Sequence, residues 1–145
     1  MFATFDRTQL PTINIVFNDE KITNQTFFQF LEEWDNSDKR MQDYNYYFDL
    51  TKSGPIELSQ AKFILPLVSF LKKKRKESDK FLQYSIINVG NPKNIKFFRL
   101  IFNLTKPIAP VYIIDNTKNQ EYINELNMLI NQHSEIPKEV IVFKP

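Results

Sequence analysis

The sequence predicts an α/β fold: a mainly parallel or mixed sheet of about four to five strands with helices packed against it. Three observations carry that prediction. Short β-rich runs alternate with amphipathic stretches along the chain. The connections between them are short and marked by Pro, Gly and Asn, as crossover units require. No internal repeat or low-complexity linker breaks the alternation, so the 145 residues read as a single domain, with a core over about 12–132 and 133–145 as a tail or extra strand. With 42% hydrophobic residues and 14 phenylalanines the chain fills one compact core but hardly two.

Thr12–Phe17, after Pro11, is the first expected strand. Phe27, Phe30, Leu31 and Trp34 then recur at helical spacing behind Thr23, Asn24 and Thr26, whose side-chain oxygens suit a helix start. Asn45–Leu50 is the next strand. Leu58–Lys76 is expected as one helix, with Leu58, Ala61, Leu65, Val68 and Leu71 on one stripe and Phe63, Leu67 and Phe70 on another. Pro66 inside it removes a backbone donor and should kink it. Gln83–Val89 is the third core strand, closed by Gly90-Asn91-Pro92, and Ile95, Phe98, Ile101 and Phe102 mark a helix that Pro107 and Pro110 stop. Val111–Ile114 is a fourth strand, and Tyr122, Ile123, Leu126, Leu129 and Ile130 give a closing helix. Glu139–Phe143 suits one more strand. Tyr44, Tyr46, Tyr47 and Phe48 cluster in one strand, so alternate rings face opposite sides and helices are expected on both faces.

Composition excludes several chemistries. No cysteine is present, which removes disulfides, zinc-thiolate sites and thiol nucleophiles. The start lacks a basic segment followed by an apolar one, and no apolar run approaches the roughly 18–20 residues that span a bilayer, so a cytoplasmic location without a transmembrane segment is expected. The Asn-x-Thr sequons at Asn24 and Asn103 are then chance. Gly54 and Gly90 are the only glycines, too few for a dinucleotide turn or a P-loop. His133 is the sole histidine and sits in the polar stretch Asn131–Glu135, where a surface loop outweighs a general base, and one histidine makes no metal site. Glu32 and Glu33 read as the wet side of a helix. The chain is therefore expected to be non-enzymatic, with no cofactor and no metal.

The segment from Tyr46 to Phe70 says most about function. It reads as a buried strand ending at Asp49, a loop holding Gly54, and a helix start near Leu58 or Ser59. Asp49 suits side-chain to backbone bonds that orient the loop. The Ser59 hydroxyl is expected at a helix start, beside unpaired N–H groups and the positive dipole end, where an added phosphate is favoured. Serine is also favoured at such a position on stability alone.

The order of elements and the residues after Asp49 resemble the STAS domain, the module of bacterial anti-sigma-factor antagonists (SpoIIAA-like proteins) and sulfate-transporter tails. Tyr46–Leu50 is similar to the family's central strand ending in Asp-Leu. Ile56-Glu57-Leu58-Ser59-Gln60 occupies the place of an apolar residue followed by Asp-Ser-Ser-Gly, so Ser59 falls on the phosphorylatable serine while Glu57, Leu58 and Gln60 replace the aspartate, first serine and glycine. Val89–Pro92 with Phe98–Leu104 resembles the next strand, loop and helix, Ile108–Ile114 the final strand, and Phe17–Leu31 the early strand-to-helix passage. The resemblance implies a regulatory contact with a protein partner, such as a regulatory kinase or an anti-sigma-like protein. Phosphorylation at Ser59 would switch it by adding about −1.5 to −2 charges. Ile86-Ile87-Asn88 and the following helix are also similar to the lipid-binding CRAL-TRIO fold, for which the chain between Asp49 and Asn88 is short of what an enclosed cavity needs.

The second feature is Lys72-Lys73-Lys74-Arg75-Lys76, five consecutive cations that complement a helix C-terminus and read first as a solvated end. With Lys93, Lys96, Arg99 and Lys106 they would form a basic face for a weakly held anionic ligand on a membrane, nucleotide or nucleic acid. This is the alternative function, a peripheral electrostatic module. A net charge of only +2 argues against a dedicated nucleic-acid binder.

Overall fold

The computed structural model describes residues 2–18, 22–37, 42–56, 58–77, 81–115 and 118–145, the side chains of Ser37, Leu58, Ser59 and Gln60 excepted. The elements are β1 (Ala3–Asp6), β2 (Thr12–Phe17), α1 (Asn24–Ser37), β3 (Tyr44–Asp49), a 3-10 segment (Leu58–Phe63), α2 (Ile64–Glu77), β4 (Leu82–Val89), α3 (Asn94–Leu104), β5 (Val111–Asp115), α4 (Gln120–Asn131) and β6 (Ile141–Phe143). The strands form one sheet whose spatial order is their chain order. β2 to β5 are parallel, and β1 and β6 pair antiparallel at the two edges. The chain is thus an α/β protein with a mixed sheet. Its six strands exceed the expected four to five by β1. That strand is short, and its turn is made by side chains, with the Thr8 N–H and hydroxyl both donating to Asp6 Oδ1 at 2.9 and 2.6 Å.

Because every crossover from β2 to β5 steps the same way across the sheet, right-handed connections place α1, α2 and α3 on one face. That face carries Ile13 and Ile15 of β2, Tyr44, Tyr46 and Phe48 of β3, and Ile87 and Val89 of β4, packed with Phe27, Phe30 and Leu31 of α1 and with Phe63. The intervening residues point the other way, as the two-residue strand period demands. There α4 sets Ile123 and Leu126 against Tyr84, Ile86 and Ile114. The expectation of helices on both faces therefore holds over part of the sheet. Among the described residues the α4 cluster reaches Tyr47 of β3, while Thr12, Asn14 and Val16 of β2 remain half-exposed on that side.

Local chemistry sets the helix ends. At α1, Thr26 N–H donates to Thr23 Oγ1 at 3.2 Å and Thr23 N–H to Thr26 Oγ1 at 2.9 Å, a reciprocal cap. Asn119 Oδ1 accepts from Tyr122 N–H at 2.9 Å and starts α4. The expected helix over Leu58–Lys76 is divided: the 3-10 segment ends at Phe63, and α2 begins at Ile64. Pro66 falls in the first turn of α2, where its missing N–H had no intrahelical acceptor, so it begins a helix instead of kinking one. The change of period shifts the stripe: Phe63 and Val68 are buried, whereas Leu65 is 70% exposed.

Candidate functional site

Two adjoining features form the candidate site: the loop after β3, and a cavity behind it. Asp49 ends β3, and its Oδ1 accepts from Thr51 N–H at 2.8 Å and from the Thr51 hydroxyl at 2.5 Å, the loop-orienting role its position suggests. Leu50 N–H donates to Asn88 O at 2.9 Å and Ser53 N–H to Leu50 O at 3.0 Å, which turns the chain across the end of β4.

Gly90 is needed at that crossing. A Cβ there would lie 2.0 Å from Leu50 O and 2.8 Å from Ser53 O, both backbone atoms with no rotamer to escape into. A second clamp comes from Asn94, which is 1% exposed at the start of α3. Its Oδ1 accepts from Ile56 N–H at 2.8 Å and its Nδ2 donates to Gly54 O at 3.5 Å. Residues 50–56 are thus bound to residues 88–94 by backbone, by steric fit and by one buried amide. Sequence reasoning missed Asn94. Its only signal was a polar residue following the Gly90-Asn91-Pro92 turn, where a helix start would ordinarily leave it in water.

The loop delivers the chain to the 3-10 segment containing Ser59. Ser59 belongs to that segment's backbone, its side chain and those of Leu58 and Gln60 lie outside the described part, and Glu57 lies outside it altogether. The expected site at an α-helix start is corrected by this. The α-helix proper begins at Ile64, so the dipole behind Ser59 is that of a short 3-10 segment.

The expected basic face is divided. Lys74 is only 5% exposed, between α1 and α2, and pairs with Asp35 of α1 and with Glu77 at 3.5 Å. It leaves the surface because the helix phase turns it inward, and its stem and ammonium then need a carboxylate. Lys72, Lys73, Arg75 and Lys76 are exposed at the end of α2. Lys93 and Lys96 are exposed at the start of α3 and Arg99 halfway along it. Since both crossover helices run antiparallel to the strands, these two groups sit at opposite ends of the sheet, roughly 16 Å apart at about 1.5 Å per residue of α3. Lys106, beyond α3, falls on the side of the α2 group.

Behind the loop, a cavity of about 790 Å3 lies between the sheet and α1, α2 and α3. Its walls are apolar and aromatic, including Phe27, Phe30, Trp34, Phe48, Ile87 and Phe98. Residues of α1 and α3 line it together with the chain between Asp49 and Asn88, and it stays open to solvent instead of being enclosed. Ser53, Gly54, Pro55 and Ile56 of the loop line it, as do Lys62 and Phe63, so the clamped loop is also its wall.

On the opposite face, burial pushes the Tyr47 hydroxyl above the usual range, partly offset by the Asn88 amide donating to it at 2.9 Å. Burial, helped by the neighbouring Glu139 carboxylate at 2.9 Å, pushes Tyr122 up to about 12. His133 is exposed with a φ of 54°, the left-handed turn that ends α4. Among the described residues no group of three or more His, Asp or Glu is placed to hold a metal. None of their helices is long and apolar enough to cross a membrane. Compared with protein-family models, with curated proteins and with solved structures, the chain finds no match.

Proposed function

We propose that the chain is a non-enzymatic, cytoplasmic regulatory module of the STAS type. It makes a protein–protein contact through the edge where β3 ends and the 3-10 segment begins, and phosphorylation at Ser59 modulates that contact. The observation that carries the reading is the clamped loop. A segment held by Gly90, Asn94 and the Asp49–Thr51 turn presents one fixed surface, and fixed surfaces lose little conformational entropy on binding. Apolar side chains stand beside it. Leu65 on the first turn of α2 is 70% exposed and Phe28 near the start of α1 is 56% exposed, both at the strand-end edge of the sheet. The order of elements after Asp49, strand, loop, 3-10 segment, helix, strand and Gly90 turn, also fits the resemblance.

The test is capture from native lysate by the wild type, Ser59→Ala, Ser59→Asp and Leu65→Asp, read by mass spectrometry at low and high salt. One partner retained by wild type and Ser59→Ala at both salts, and lost with Ser59→Asp and Leu65→Asp, is the expected result. Identical captures by all four chains would remove the reading.

A further inference from the structure

We propose that the cavity between the sheet and α1, α2 and α3 binds one single-chain amphiphile with a carboxylate head, a ligand of the fatty-acid class. This goes beyond the partner contact and does not depend on it.

Size is the first argument. Protein interiors pack like organic crystals and leave few voids larger than a water molecule, whereas this cavity of about 790 Å3 lies within the roughly 300–1,000 Å3 of small-molecule sites. Shape is the second. Along the strands the lining runs from Leu82 at the start of β4 and Ala109 just before β5 to Leu50 and Ile56 beyond the end of β3. That span of about 20 Å, six strand positions at about 3.3 Å per residue, accommodates an extended alkyl chain. Burying such a chain yields about 25 cal/mol per Å2 of apolar surface.

Polarity fixes the orientation. Lys62 is the one charged residue among the described residues that line the cavity. The exposed lining residues, Gly54, Pro55 and Lys62, all follow the end of β3, so the cavity meets solvent at that edge. Asn18, just past the end of β2, and Ser53 share it. The Lys62 ammonium stands 5.1 Å from the Phe63 ring centroid and pairs with no carboxylate among the described residues. A cation at the rim of an apolar cavity complements a carboxylate on an alkyl tail: the tail is buried, and the head stays wet and paired because an unpaired buried charge is prohibitive. Partway along the strands, Ser85 is 6% exposed and lies in register between the lining residues Tyr46 and Val111.

Trp34 is the sole tryptophan and lines the cavity, which supplies the probe. The delipidated full chain is titrated with hexadecanoic acid below its self-association limit, with methyl hexadecanoate, and with phosphatidylglycerol vesicles, while Trp34 fluorescence is followed and native mass spectra count bound molecules. The expected result is saturable binding of one acid per chain, with the ester about 2–5-fold weaker, the range of a single exposed ion pair. Lys62→Gln removes that preference and leaves ester binding unchanged. Ser85→Leu, which sets an isobutyl group into the floor of the cavity across the path of the tail, abolishes binding of both. Should Ser85→Leu lose its circular dichroism, the Lys62→Gln comparison and the wild-type stoichiometry decide. Absence of saturable binding, equal affinity for acid and ester, or a response to vesicles alone overturns the proposal.

Discussion

On the face that α4 covers, Ile86 and Leu126 are each 1% exposed within a small closed cluster, whereas on the face that α1, α2 and α3 cover, Phe30, Phe48 and Ile87 are also buried yet border a cavity of about 790 Å3. The same strands supply both sets by alternation. The difference shows that exclusion from water and close packing are separate properties: large rings can screen a space without filling it. Side chains that border a void have no atoms to attract on that side and forfeit dispersion energy, so the α4 side is expected to hold more stability per side chain.

The strongest test of that contrast is a matched pair of truncations followed by urea denaturation. Leu126→Ala opens a hole beneath α4, where Leu126 is 1% exposed, and should cost about 2–5 kcal/mol. Ile87→Ala enlarges an existing cavity that Ile87, itself 4% exposed, lines, and should cost clearly less, about 2 kcal/mol or below, because fewer atoms surround that side chain in the wild type. Equal costs would break the contrast. Gly90→Ala comes next, since the new methyl meets the backbone oxygen of Leu50; about 1–3 kcal/mol is expected, together with looser amide protection over residues 50–56 in hydrogen exchange. Asp49→Ala removes the acceptor for Thr51 at a half-exposed site and should cost about 1 kcal/mol, while Asp49→Asn keeps an oxygen there and should cost less.

The smallest effect concerns pH on the α4 side. Tyr122 is held at about 12 in the folded chain against an ordinary value of 10.0, so the folded state favours its protonated form. That contribution is complete below pH 10.0 and is lost as pH rises toward about 12, and it is small because Tyr122 is half-exposed and screened by solvent. A phenolate absorbance titration should show Tyr122 ionising late, and Glu139→Gln should bring it part of the way back, since burial is the larger cause.

Most of the architecture was legible because it is local. Strict alternation in Tyr44, Tyr46 and Phe48 and helical recurrence in Phe27, Phe30, Leu31 and Trp34 each need only a few neighbouring residues to declare themselves. What escaped depends on distant partners. The burial of Lys74 is intelligible only with Asp35 facing it from α1, and Asn94 only with the loop it clamps. The site was half legible: the position of Asp49 and the importance of the following loop could be read, whereas the cavity could not. A void has no residue of its own and arises from how far three helices stand from one sheet. Pro66 misled for a different reason, because its meaning depends on which residue begins the helix.

The agreement between strand order in space and strand order along the chain has a kinetic consequence. During synthesis each new strand emerges with its neighbour already made, so the sheet can lengthen at a single growing edge. No gap has to be held open for a late insertion, although each parallel pairing still has to close a crossover of about 25–40 residues. The final addition, the three-residue β6, then caps that edge with a short antiparallel strand and leaves little for a second nascent chain to extend.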